Sequence, residues 1–209
     1  MNNYWYIIYI LMVLFVFIRP NQFILTIIKY SITNKTMMKS ILFILGACLY
    51  YFFITILSLI ICSILEYFQQ TMLMFIQLLC LCYLCYVGIT YMTEKKQKFS
   101  LQNSYCLAEK NRDIIQDGFI YMFSDFQFSS IIISVFFVFY SYKDSILDSL
   151  FLIVIIPIVC FLFYLFLIFV EKNKKIWNII ENNIYALHNL SGFLLIILTS
   201  TNLKNVLKW

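Results

Sequence analysis

Glycine and proline are nearly missing from this chain, with four and two in 209 residues, where proteins usually carry about 7% and about 5%. Charge is equally scarce: Asp, Glu, Lys and Arg make up 12% of the sequence, against about 25% in a soluble domain. Only one histidine is present, His188. Each shortage excludes something. A chain of this length with so little charge cannot cover a single globular core with polar surface, so a soluble enzyme is excluded. No Gly-rich phosphate loop, no H-E-x-x-H and no Ser/His/Asp set occurs, so neither enzyme chemistry nor a cofactor is expected. A lone histidine far from the cysteine-rich stretch gives no ligand set for zinc, and no metal site is expected.

What remains is apolar. Hydrophobic residues make up 63% and aromatic residues 20%, with 22 Phe and 16 Tyr, and the mean hydropathy is +0.90. Such a chain is an integral membrane protein and not a disordered one. The bias toward Phe, Tyr, Ile and Asn resembles translation of A+T-rich coding sequence, which disfavours Gly, Pro, Ala and Arg. The seven cysteines lie almost entirely in apolar stretches and read as small buried side chains. The aromatic excess reads as lipid-facing bulk and interfacial belts.

A helix crossing the hydrocarbon core needs about 20 mostly apolar residues. Stretches free of Asp, Glu, Lys and Arg occur at 1–18, 40–65, 67–93, 126–142, 149–170 and 182–203. The first is short and resumes over 23–28 after the interruption Arg19-Pro20-Asn21-Gln22. The fourth is also short. The N-terminus has no basic region and no small-residue cleavage site, so it is not expected to be a cleaved signal peptide. The expectation is an all-α membrane protein of six transmembrane helices, the first and fourth interrupted.

The loop cations test that count. The first loop carries Lys29, Lys35 and Lys39, the third Lys95, Lys96, Lys98, Lys110 and Arg112, and the fifth Lys172, Lys174 and Lys175. Eleven cations thus fall in odd-numbered loops, while Lys143, Lys204 and Lys208 are the three in the even loops and at the ends. Cytoplasmic loops hold the excess of Lys and Arg. The odd loops should therefore face the cytoplasm and both termini the outside of a cell (inner) membrane. Cations distributed this way are a topology signal and not a nucleic-acid patch.

Three helices precede the long basic loop and three follow it, so the halves have opposite orientation. One transmembrane domain over 1–209 is expected, with a first repeat of about 1–93, a basic loop 94–113 and a second repeat of about 114–209. Inverted repeats of this kind are a recurring transporter plan, with the site near the midplane where helices break. The opening helix of the first half breaks at Arg19-Pro20-Asn21-Gln22, and that of the second around Ser124-Asp125-Phe126-Gln127.

At the end of the third stretch stands Cys82-Tyr83-Leu84-Cys85-Tyr86-Val87-Gly88-Ile89. It resembles the A-Y-L-x-[WY]-L-G pattern of the lysine exporter / homoserine-threonine resistance (LysE/RhtB) amino-acid exporters, with Tyr83, Leu84, Tyr86 and Gly88 in place. The closing Asn189-Leu190-Ser191-Gly192 is similar to the start of that family's final helix. Of the family's P-G-P motif near the end of helix one, Pro20 remains. At its N-P-[KR] motif this chain reads Asp125-Phe126-Gln127. The resemblance implies export of an amino acid or similar small zwitterion, with proton coupling. The expected partners are the lipid bilayer and that small molecule, with a homo-oligomer possible and no nucleic acid.

Arg19 is the most informative residue. A cation within an apolar segment costs about 2.5–3.5 kcal/mol on insertion scales, so it calls for a partner or a water-lined place. It could snorkel to a headgroup, or hold a substrate carboxylate at the break. Asp125 is its natural counterpart, and a zwitterion could exchange into the pair. The expected substrate-binding residues are Arg19, Pro20, Asn21, Gln22, Ser124, Asp125 and Gln127. Two rival readings stand beside export. One is a decayed or repurposed structural membrane protein, which should fill its midplane with Phe and Ile. The other is a thiol-redox carrier using Cys82 and Cys85. His188, seven residues after Glu181 at the start of the sixth stretch, could titrate near neutral pH and serve proton coupling, or only mark the interface.

The cation asymmetry gives the first prediction. A reporter active only in the cytoplasm should work when fused after Lys96 and stay silent when fused at Trp209. The reverse pattern at both positions would discard the six-crossing arrangement with its termini outside.

Overall fold

Long apolar runs can satisfy their backbone in lipid by closing every hydrogen bond within a helix. The computed structural model describes residues 4–18, 23–24, 26–27, 37–93, 111–171 and 174–206. Among them are seven helices: α1 (Tyr4–Ile18), α2 (Met37–Phe68), α3 (Gln70–Thr93), α4 (Asn111–Ser124), α5 (Phe126–Tyr140), α6 (Ile146–Glu171) and α7 (Lys174–Val206). Three of these, α2, α3 and α6, are long and apolar enough to cross a membrane, and a fourth span arises if α4 and α5 count together. These two meet at Asp125 with a bend of 76°. Helix α1 is apolar but only 15 residues long. Helical backbone returns at 23–24 and 26–27; the expected interruption at Arg19, Pro20, Asn21 and Gln22 lies outside the described residues.

Two boundaries differ from the sequence expectation. The basic third loop ends earlier, because α4 begins at Asn111, and most of the fifth loop is helix, because α7 begins at Lys174. Apolar stretches mark where a helix is immersed, and a helix continues through charged residues wherever water or headgroups receive them. A third difference concerns the aromatics. Many are exposed, as Phe52, Phe53 and Phe75 are, but the largest fully buried side chains include Tyr9, Tyr51, Tyr164, Phe17, Phe23 and Phe43. With both faces of each helix apolar, hydropathy cannot distinguish interior from lipid.

The two halves interleave. The more extensive interfaces, led by α3 on α7, α2 on α4 and α2 on α6, each join a helix of the first half to one of the second. Contacts between chain neighbours, such as α2 with α3 or α5 with α6, are smaller. At one end of the molecule, Tyr6 of α1 donates to Asp148 of α6. Lys143, between α5 and α6, lies 3.0 Å from Glu66 near the end of α2. Tyr142 donates to Asn202 of α7 at 2.9 Å. The start of α1, the α2–α3 turn, the α5–α6 turn and the last part of α7 therefore share that end.

All four glycines lie at two helix crossings. A Cβ on Gly46 of α2 would collide with the Ile115 carbonyl oxygen of α4, and one on Gly118 of α4 with the Phe43 carbonyl oxygen of α2. At the second crossing, a Cβ on Gly192 of α7 would lie 2.6 Å from the Gly88 carbonyl oxygen of α3, and one on Gly88 would lie 2.9 Å from that of Gly192. In lipid, where burying apolar surface drives no association, such close backbone approach is a main source of helix affinity.

Helix α6 contains Pro157, whose missing N–H frees the Ile153 carbonyl. The hydroxyl of Thr55 on α2 faces that carbonyl at 3.4 Å, and Tyr9 of α1 donates to the neighbouring Leu152 carbonyl at 2.8 Å. The turn ahead of Pro157 thus meets hydroxyls of the opposite half, as carbonyls without a helical partner require in lipid.

The crossings predict an order of stabilities. Gly46→Ala meets rigid backbone and should cost about 1–3 kcal/mol, as overpacking does. Gly88→Ala first meets the Ile196 side chain at 2.7 Å, which can turn aside, so its loss should be smaller. Thermal unfolding in detergent measures both, and equal melting for wild type and Gly46→Ala would contradict the crossing.

Candidate functional site

The bend at Asp125 grows out of local chemistry. Ser124 bonds back to the Ile120 and Tyr121 carbonyls at 2.7 and 3.1 Å, a pattern that often bends helices, and the Asp125 N–H bonds to the Met122 carbonyl three residues back at 3.2 Å, tightening the last turn of α4. Asp125 then opens α5: its Oδ1 accepts the Phe128 N–H at 3.0 Å, an N-cap on a 15-residue helix. The carboxylate meets the positive end of the helix dipole there. The Asp125 carbonyl also accepts the Ser129 hydroxyl at 2.9 Å.

Two tyrosines from the first half hold the opening turns of α5. Tyr50 of α2 pairs with the Ser129 hydroxyl at 2.7 Å, and Tyr83 of α3 pairs with Ser130 at 2.7 Å. Tyr51 donates to the Met122 sulfur at 2.9 Å, just before the bend.

The segments on either side of the two breaks meet. Phe17, ahead of the first break, has its ring 5.5 Å from that of Phe128, which follows the second. Phe23, past the first break, has its ring 5.5 Å from Tyr121, which precedes the second. Tyr164 of α6 touches both, at 5.7 Å from Phe17 and 4.9 Å from Phe23. Phe17, Tyr51, Phe128 and Tyr164 are all at most 2% exposed, so aromatic rings pack between the described segments that flank the two breaks.

The expected site residues fall out as follows. Asp125 is half-buried at the bend, whereas Ser124 and Gln127 are exposed. Arg19, Pro20, Asn21 and Gln22 lie outside the described residues, and with them the first side of the expected ion pair. Sequence reasoning missed Tyr50, Tyr51, Ser129 and Ser130. The adjacent hydroxyls of Ser129-Ser130 at the start of an apolar stretch were the available signal. Tyr83 was singled out by its motif, but not its contact.

The other motif residues divide by role. Leu84 is buried and Tyr86 exposed, while Gly88 meets Gly192. The two pieces of sequence that carry the family resemblance are therefore the two sides of one helix crossing. Cys82 is exposed, whereas Cys85 lies 3.0 Å from the Thr199 hydroxyl on α7. These two thiols thus have different surroundings. His188 is buried within α7 with its ring 4.8 Å from Tyr91, not at the start of a helix.

Interleaved apolar helices tied by hydroxyls across their interfaces define a multi-pass α-helical membrane protein. The family model described as LysE type translocator matches residues 13–201, a span running from α1 into the last turns of α7. The chain belongs to that family, and it is a membrane transporter of amino acids or similar compounds. No curated protein and no solved structure matches it significantly.

The cap gives a direct test of the bend. Asp125→Ala should cost about 0.5–2 kcal/mol, the usual loss for an N-cap, while Asp125→Asn should keep most of it. Thermal unfolding of the two variants compares them, and equal losses would mean the side chain is not acting as a cap.

Proposed function

We propose that this translocator exports amino acids or similar small zwitterions from the cytoplasm, coupled to protons, through a site between the two helix breaks. The observation that carries this reading is the reciprocal contact of the breaks, Phe17 with Phe128 and Phe23 with Tyr121. It supports Arg19 and Asp125 as neighbours that receive the substrate's carboxylate and ammonium, alongside Pro20, Asn21, Gln22, Ser124 and Gln127.

The same contacts support two inverted repeats and six crossings. Tyr121 follows Phe17 by 104 residues, and Gly192 follows Gly88 by the same 104. A pseudo-two-fold exchange of halves at that offset would bring Gly88 against its own counterpart, and would take the contact of Phe17 with Phe128 to Tyr121 with position 24, one residue from the observed partner Phe23. The shared end of α1, α7 and the two turns agrees with an even number of crossings. With the cation asymmetry, this end faces outside a cell (inner) membrane.

The filled midplane favours one second reading, a structural membrane protein without transport. Efflux of radiolabelled amino acids from cells expressing the chain separates the two, since a structural protein should match empty vector. On the export reading, Arg19→Ala and Asp125→Ala each abolish efflux. Each also lowers protein abundance, because it leaves the other charge without its partner, a loss that for Asp125→Ala comes with that of the cap. The double substitution should restore part of the abundance without restoring efflux. Unchanged efflux in both single variants would remove the shared site.

A further inference from the structure

The two ends of the interface between halves are built differently. Where Gly46 meets Gly118 and Gly88 meets Gly192, backbone lies against backbone, and the bonds beside these crossings, such as Tyr51 with Met122 and Cys85 with Thr199, join uncharged groups. The end carrying the α2–α3 and α5–α6 turns is held by polar bonds. Lys143 and Glu66 form an ion pair at 3.0 Å, with the lysine 21% and the glutamate 50% exposed. Tyr140 donates to the same Glu66 oxygen at 2.7 Å and meets Ser63 of α2 at 3.1 Å. The Lys143 ammonium also donates to the Tyr140 hydroxyl. Burial works against the charge on Lys143, but the Tyr140 and Glu66 bonds outweigh it and keep the lysine above its ordinary range. A second tie runs from Tyr6 of α1 to Asp148 of α6.

From this contrast we infer that the Glu66–Lys143–Tyr140 cluster and the Tyr6–Asp148 bond form a latch between the halves, which opens while the glycine crossings act as the fulcrum. The inference rests on the transport reading, in which release to the outside requires this end to part. Packed backbone resists separation because contact falls away steeply with distance. A partly exposed ion pair contributes little, since water replaces what each charge loses. The molecule therefore parts most easily at its polar end.

The chain carries its own reporter for this motion. Cys62 of α2 is fully buried one residue from Ser63, with Cys80, Lys143 and Glu66 as its electrostatic neighbours. Opening the latch exposes it, while Cys160, also fully buried, lies on α6 against Cys48, with the two sulfurs 3.8 Å apart. The test applies a membrane-impermeant maleimide to intact cells and measures labelling at each cysteine by peptide mass spectrometry. Lys143→Met and Tyr6→Phe should each raise Cys62 labelling up to about five-fold, as the loss of one weak polar tie allows, and together the two factors should multiply. The exchange Glu66→Lys with Lys143→Glu should return labelling to the wild-type level. Unchanged Cys62 labelling in Lys143→Met and in Tyr6→Phe overturns the latch, as does an equal rise at Cys160, which would mean general loosening. Labelling needs no transported substrate, so the latch can fail while export stands, and export can fail while the latch stands.

Discussion

Everything in this fold hangs on how closely two pairs of helices can approach. Leu and Phe on a helix surface gain little from meeting each other in lipid, because the hydrocarbon they leave is as apolar as the partner they find. What separates a packed helix from a lipid-facing one is shape. Where α2 meets α4 and where α3 meets α7, backbone lies against backbone, and a single Cβ would intrude. The chain has only four glycines, and all four stand at these crossings. A composition that disfavours glycine makes that placement informative, since it separates residues that geometry demands from those that coding bias supplies.

The irregular places depend on the same interleaving. A bent or proline-broken helix exposes backbone groups that lipid cannot satisfy. Here the partners for those groups come from across the interface. Tyr50 and Tyr83 reach the serines that open α5, and Thr55 and Tyr9 face the carbonyls of the turn ahead of Pro157. The tyrosines of the first half find their partners on the second, Tyr9 at the Leu152 carbonyl and Tyr50 and Tyr83 at serines, which ties folding of one half to docking of the other.

Much of this was legible in the sequence, but unevenly. The scarcity of charge marked the membrane class, and the apolar stretches marked α2, α3 and α6. Gly88 and Gly192 stood out by motif, but nothing local said that they touch, because contact between residues 104 apart is a property of the packing. The starts of α4 and α7 were hidden for a different reason. Both begin in polar sequence, Asn111-Arg112-Asp113 and Lys174-Lys175, where helix formation is decided by propensity and capping and leaves no trace in hydropathy. The inward aromatics were illegible because an interior Phe and a lipid-facing Phe look alike to any apolar scale. Asp125 was visible as a lone acid in an apolar setting, and its capping role follows from the bend beside it.

The aromatic fill between the breaks sets a condition on any substrate. A zwitterion brings two charges, and placing either among Phe17, Tyr51, Phe128 and Tyr164 without a partner would cost several kcal/mol. On the export reading, a substrate between the breaks needs those rings to move apart. The rings belong to opposite halves, Phe17 and Tyr51 to the first and Phe128 and Tyr164 to the second, so on that reading the motion that admits a substrate is a motion of the halves, and closure of the rings excludes water from the path between them. In a transporter this has a use, since a centre that stays dry between cycles gives protons and other small ions no continuous path through the membrane.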